Sequence, residues 1–228
     1  RVINIDPKTS RFKFFENHCV SMAPFDVVGA SPQAQVDGVM DLPETFPSTV
    51  AVLPRFQELV AEYQVEDGTL DFPEGVTART LLQRATRDTL TGMGLDVSGL
   101  TDAQMSDNHG WVLFPNFFMT IRAGEATIVM ALPHPDGDPN RCIWHVASYM
   151  WLPDEMKAAF TAEPVVVDEP GSFKYFEALQ QDYEQMPRQQ IGLRNTTLKH
   201  MALVKEEVVI AHFHSVVDEY LRAAGMTV

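Results

Sequence analysis

Cysteine is almost missing from this chain, with only Cys19 and Cys142 among 228 residues. Two thiols that far apart form no Cys-x-x-Cys pair, which excludes both a disulfide scaffold and a cysteine-bound metal cluster. They read as reduced, partly buried thiols. Basic residues are scarce too: 17 Lys plus Arg stand against 31 Asp plus Glu, a formal charge of −14. That balance opposes counterion release on a phosphate backbone and attraction to anionic lipid, so neither nucleic acid nor membrane is an expected partner. No apolar run reaches the ~20 residues that cross a bilayer, and no basic segment leads into an apolar signal region. The chain therefore reads as soluble and cytoplasmic. Internal repeats, low-complexity tracts, Gly-x-Ser-x-Gly, a phosphate loop and His-Glu-x-x-His are all missing, which removes the common hydrolase and zinc-protease readings.

What is present supports one domain over residues 1–228 with a sizeable core. Residues 11–25 mix Phe12, Phe14, Phe15, Val20, Met22 and Phe25 with polar side chains, which predicts strand structure broken near Asn17. Residues 37–54 carry several prolines and no long apolar face. Phe56, Leu59, Val60 and Tyr63 then fall at helical spacing behind Pro54, whose missing N–H does no harm in a first turn. A second helix over 76–90 follows from Leu81, Leu82, Ala85 and Leu90 on one stripe, with Thr77 as its cap. Residues 37–105 thus form a helical insertion placed over the expected pocket.

From residue 108 to 152 the period becomes strand-like. Segments 111–114, 117–122, 126–132 and 142–151 predict an antiparallel meander, joined by a Gly124-Glu125 turn and a Pro- and Asp-rich loop at 133–140. Helices are expected at 173–190 and 204–224, the last with Val208, Val209, Phe213, Val216, Val217, Tyr220 and Leu221 as its apolar stripe. An antiparallel sheet gripping a long C-terminal helix is an α+β fold.

The most informative stretch runs from Phe173 to His214. It holds Glu177, Asp182, Glu184, Gln189, Gln190, Gly192 and Leu193, then the acidic pair Glu206 and Glu207, then His212, Phe213 and His214. A helix acid seven residues before a Gln and ten before Gly-Leu resembles the end of the catalytic domain of ring-hydroxylating oxygenase α subunits. The segment His109, Gly110, Trp111, Val112, Leu113, Phe114, Pro115, Asn116 is similar to that family's strand ending in Phe-Pro-Asn. The resemblance implies a helix-grip, START-like domain with a tunnel between sheet and long helix. It also implies Fe(II) and O₂ chemistry on a small apolar or aromatic substrate, with electrons from a reductase or ferredoxin and a trimer-type homo-oligomer.

In that reading Asp182 is the carboxylate of a two-His-one-carboxylate iron site, with Glu184 as the fallback. The family's His-x₄-His pair has no counterpart among His18, His109, His134, His145, His200, His212 and His214. The [2Fe-2S] cluster of a Rieske domain needs paired Cys and His motifs that this sequence does not hold. The chain opening at Arg1 is accordingly expected to be cut from something longer, with the iron site incomplete and the piece inactive alone. Strand parity puts Asn108, Gly110 and Val112 on one face and Phe118 and Thr120 on one face of the next strand. With Phe173 and Phe176 ahead of Asp182 on its helix, these are the expected substrate-lining residues, Gly110 leaving room for a ligand. His212 and His214 point about 200° apart on a helix and read as packing groups. His134, Asp136, Asp138 and Asn140 read as a solvated hairpin loop. The alternative function is a non-catalytic helix-grip carrier of a hydrophobic small molecule.

Overall fold

A hydrogen bond from the Phe15 N–H to the His18 carbonyl, 2.8 Å long, folds residues 11–23 back on themselves. The break expected near Asn17 is therefore a hairpin turn between two strands, β1 (Arg11–Phe14) and β2 (His18–Ala23). The computed structural model describes residues 11–25 and 30–228. Four more strands follow: β3 (Asn108–Leu113), β4 (Phe117–Arg122), β5 (Glu125–Pro133) and β6 (Cys142–Met150). All six pair antiparallel in the order of the chain. This is the α+β helix-grip fold, the sheet carrying the long C-terminal helix α8 (Val208–Ala223) on its inner side.

Between β2 and β3 the chain builds a helical lobe. It holds α1 (Pro32–Met40), α2 (Leu42–Thr45), a 3₁₀ turn at Pro47–Ala51, α3 (Leu53–Ala61), α4 (Ala78–Gly92) and α5 (Asp102–Ser106). The first three lie where the sequence showed no apolar period, and a proline in the first turn of each sets φ without costing a hydrogen bond. Thr77 caps α4 with a reciprocal Thr80 bond, and Thr101 caps α5 with Gln104. The largest core belongs to this lobe, where Val39, Phe56, Leu59, Leu82 and Ala85 are closed to solvent. By contrast α8 fully buries only Val216. Of its expected stripe, Val208 and Tyr220 stay exposed, because the sheet covers a single narrow side of the helix.

The lobe docks on the sheet at the β4–β5 turn. Gly124 has φ +86°, and a Cβ there would stand 2.9 Å from a Leu90 methyl of α4, so only glycine suits both the turn and the contact. A polar seam runs alongside. Arg79 grips Asp107 with two bonds of 2.8 and 3.0 Å, while Gln83 donates to Ser106 and Ser106 to Asp107. Arg122 is buried at this seam with its Nη1 3.9 Å from Glu125 Oε1, and Ser48 donates its hydroxyl to Glu125.

Three elements close the chain before α8: α6 (Asp154–Lys157), a 3₁₀ turn at Ala158–Phe160, and α7 (Glu177–Leu193). The helix expected at 173–190 begins later and ends later. Phe173 belongs to an irregular segment, Phe176 is the residue capping the helix, and Pro187 is taken inside it. No helix among the described residues is long and apolar enough to cross a membrane.

Two outcomes follow for stability. Phe56→Ala empties a fully buried ring site and is expected to cost about 3–5 kcal/mol in urea unfolding. Burial raises the Glu125 carboxyl above its ordinary range, with Arg122 countering only in part. A raised carboxyl holds its proton more tightly folded than unfolded, so stability falls as pH climbs from the ordinary range through the native pKa. Glu125→Gln is expected to flatten that fall over the window that opens at the ordinary glutamate pKa and extends above it. Urea midpoints of both proteins moving in parallel across that window would contradict it.

Candidate functional site

Register decides which side chains can meet on the sheet. Gly110 pairs with Thr120 and Ser21, and Val112 pairs with Phe118 and Cys19, so all six project from one face. The same face carries Phe14, whose ring lies 5.0 Å from His212 of α8, and Trp144 of β6, which meets α7. The expected lining residues Asn108, Gly110, Val112, Phe118 and Thr120 thus lie on the helix-facing side in the middle of the sheet. Asn108 holds its side-chain oxygen buried without a partner, and Phe118 is exposed on the open part of the face. The room expected beside Gly110 is taken. A Cβ there would stand 2.9 Å from the Ser21 hydroxyl and 3.6 Å from the Phe118 ring.

The second group gathers on α7. Tyr183 stacks on Trp144 at 5.3 Å and 19°, Tyr175 meets Trp144 edge-on at 5.2 Å, and Phe173 meets Tyr175 at 5.0 Å. These rings pin the first half of the helix to β6, with Leu179 buried beneath it. Asp182 is one helical turn beyond Leu179 and so shares its side of the helix. Over its whole surface Asp182 is exposed, yet enough chain surrounds the carboxyl to desolvate it and push its pKa up. Desolvation alone acts on it, with no cation to draw it back. Glu184 is engaged otherwise, accepting from Gln180 at 2.8 Å in the open.

Phe173 and Phe176 stand with Asp182 at the β6 side, whereas the lining residues of β4 and β3 stand two and three strand spacings away, roughly 10 and 14 Å. The Trp144, Tyr175 and Tyr183 cluster was not singled out from sequence. Its signal was available, since Tyr175 and Tyr183 lie eight residues apart, near two turns, flanking the acid.

Among the described residues no three His, Cys, Asp or Glu side chains converge as a metal site would need. His212 faces Phe14 and keeps Nε2 buried and unpaired, while His214 turns edge-on to its neighbour Phe213. His134 and Arg141 both close on Asp136 within the 133–141 loop. Cys19 is buried, which raises its thiol, and Cys142 is exposed; neither is bonded.

The model of the family described as ring hydroxylating alpha subunit (catalytic domain) matches residues 57–223. The chain belongs to that family. The match takes in most of the helical lobe, strands β3 to β6, and both α7 and α8, so Asp182 and all the expected lining residues fall inside it. No curated protein matches the chain. No solved structure matches it either. As a ring-hydroxylating α-subunit catalytic domain it is of an oxygenase kind.

Since desolvation holds that carboxyl up, Asp182 is expected to titrate above the usual aspartate range. Side-chain carboxyl ¹³C shifts followed against pH check this. A midpoint at or below the range of the exposed aspartates would remove the desolvated environment.

Proposed function

We propose that this catalytic domain serves a ring-hydroxylating oxygenase acting with O₂ at mononuclear Fe(II) on an apolar, aromatic substrate. The family match over 57–223 carries the reading, because it spans the acid, the aromatic cluster and the sheet face together. In this proposal Asp182 is the single carboxylate ligand. The apolar side chains Val112, Phe118 and Phe176 hold the ring by burial, with Asn108, Thr120 and Phe173 bordering it and Gly110 keeping the sheet flat under them.

The described residues do not fit an iron ion by themselves. One carboxylate is present and no imidazoles cluster beside it, whereas imidazole nitrogen supplies much of the affinity of such a site. The proposal therefore assigns this chain one ligand, and gives the two imidazoles to residues other than those described. Electron supply through a [2Fe-2S] cluster, a reductase or ferredoxin partner, and a trimer-type assembly belong to the same proposal. The 1–228 span acts in it as one catalytic unit, with the 37–105 helices lying over the pocket.

Asp182→Ala is the decisive substitution, made in a preparation that also contains the two imidazole ligands. Iron per chain and oxygen-dependent product are both expected to fall at least about tenfold, since a ligand is lost rather than an outer support. Binding of an aromatic hydrocarbon that persists in Asp182→Ala, without any oxygen-dependent product from either protein, would favour the carrier reading instead.

A further inference from the structure

Among the described residues the Arg122 guanidinium is a poorly satisfied buried charge. The residue is 8% exposed, and its Nη1 is buried with no hydrogen-bond partner. Glu125 is the nearest anion, but at 3.9 Å it is too far to accept a bond, and the Ser48 hydroxyl holds its other oxygen. The Phe46 ring covers one face of the guanidinium at 4.6 Å, leaving approach along the edge. A buried cation in this state costs several kcal/mol unless something accepts from it.

Two hollows meet at this group. One is a part-open cavity of about 60 Å³ between α4 and the β4–β5 turn, with Thr86, Thr89, Leu90 and Met105 among its walls. The other is an open hollow of about 360 Å³ beside Tyr149 and Trp151. Arg122, Glu125, Met150 and Trp151 line both. Such a mostly apolar recess with one unpaired donor selects a ligand with a single acceptor group on an apolar body. A phosphate would need several donors, and Glu125 opposes a dianion.

We propose that Arg122 anchors a small aromatic monocarboxylate, its carboxylate accepting from the accessible edge of the guanidinium at the inner end and its ring lying against Trp151 and Met150 in the open hollow. This site lies apart from Asp182 and does not depend on the oxygenase reading, because binding here needs neither iron nor turnover. Its occupant is a substrate-like or regulatory acid distinguished from a hydrocarbon by one charge.

Calorimetric titration of the full chain with benzoate tests this, with toluene and sodium chloride as comparators. Benzoate is expected to bind saturably and at least about tenfold more tightly than toluene, as one charge-assisted hydrogen bond allows. Arg122→Gln is expected to erase that advantage and leave toluene binding unchanged. Thr89→Leu fills the inner end from a half-buried position, and is expected to abolish benzoate binding without moving the melting temperature. Equal affinity for benzoate and toluene overturns the proposal, as does benzoate binding that survives Arg122→Gln. Displacement of benzoate by equimolar chloride reduces the site to a simple anion hole and overturns it as well. Should Arg122→Gln not fold, Thr89→Leu decides, and full benzoate affinity in that variant overturns the proposal.

Discussion

The pairing of β3 with β4 is the constraint on which the functional geometry rests. With Gly110 opposite Thr120 and Val112 opposite Phe118, the sheet gains an inner face that α2, α7 and α8 all approach. A one-residue slip would turn Arg122 and Thr120 outward and bring Ile121 and Met119 inward. Register is held from both ends. Ser21 and Phe118 fill the space over Gly110, and the Gly124 turn rests on Leu90.

Stability and chemistry are divided between different parts of the chain. Dense apolar packing lies in the helices between β2 and β3, where Phe56, Leu59 and Leu82 are closed off. The two C-terminal helices are more thinly held, α7 by two tyrosine rings on one tryptophan and α8 by Val216 with Phe213 and Tyr220 against Phe114. Local opening free energy scales with buried contact, so α7 and α8 form the low-stability side of the molecule. Under the proposed function, a helix that admits a ring beneath it gains from that looseness, because a tightly packed interface would leave no room.

Where the sequence repeats a period, it was readable. The β4 bounds at Phe117 and Arg122, the Thr77 cap, Pro54 in the first turn of α3 and the meander order all follow from alternation, capping chemistry and turn residues. The helices over 32–51 were not readable, because prolines there look like breakers while each in fact opens a helix. Phe173 was drawn into α7 by its apolar character, yet Gly171 at φ +84° turns the chain just before it and the helix waits for Phe176. Asp182 was legible as a helix acid with a spacing. Its desolvation was not, since that depends on β6 meeting α7 across the 26 residues from 151 to 176. The Arg122 recess was hidden for a similar reason. A lone arginine ending an apolar strand reads as an edge residue until the helical lobe is laid over it.

Two charges in this acidic chain share one physical character. Asp182 is raised by desolvation with no cation beside it, and Arg122 is lowered by desolvation that Glu125 and Asp107 only partly offset. Their neighbours show that the fold can do otherwise, since Arg79 has both Asp107 oxygens and Arg55 has both Glu58 and Asp88. Ion pairs built for structure are matched in this way, donor to acceptor. A group left unmatched within a folded chain carries a free-energy cost that a bound partner of opposite sign removes, which is why perturbed groups gather at binding and catalytic sites. In the proposed reading the acid on α7 takes a cation and the guanidinium under the lobe takes an anion. The sheet's inner face and the helix laid against it would then carry two recognition points of opposite charge, with apolar strand residues between them.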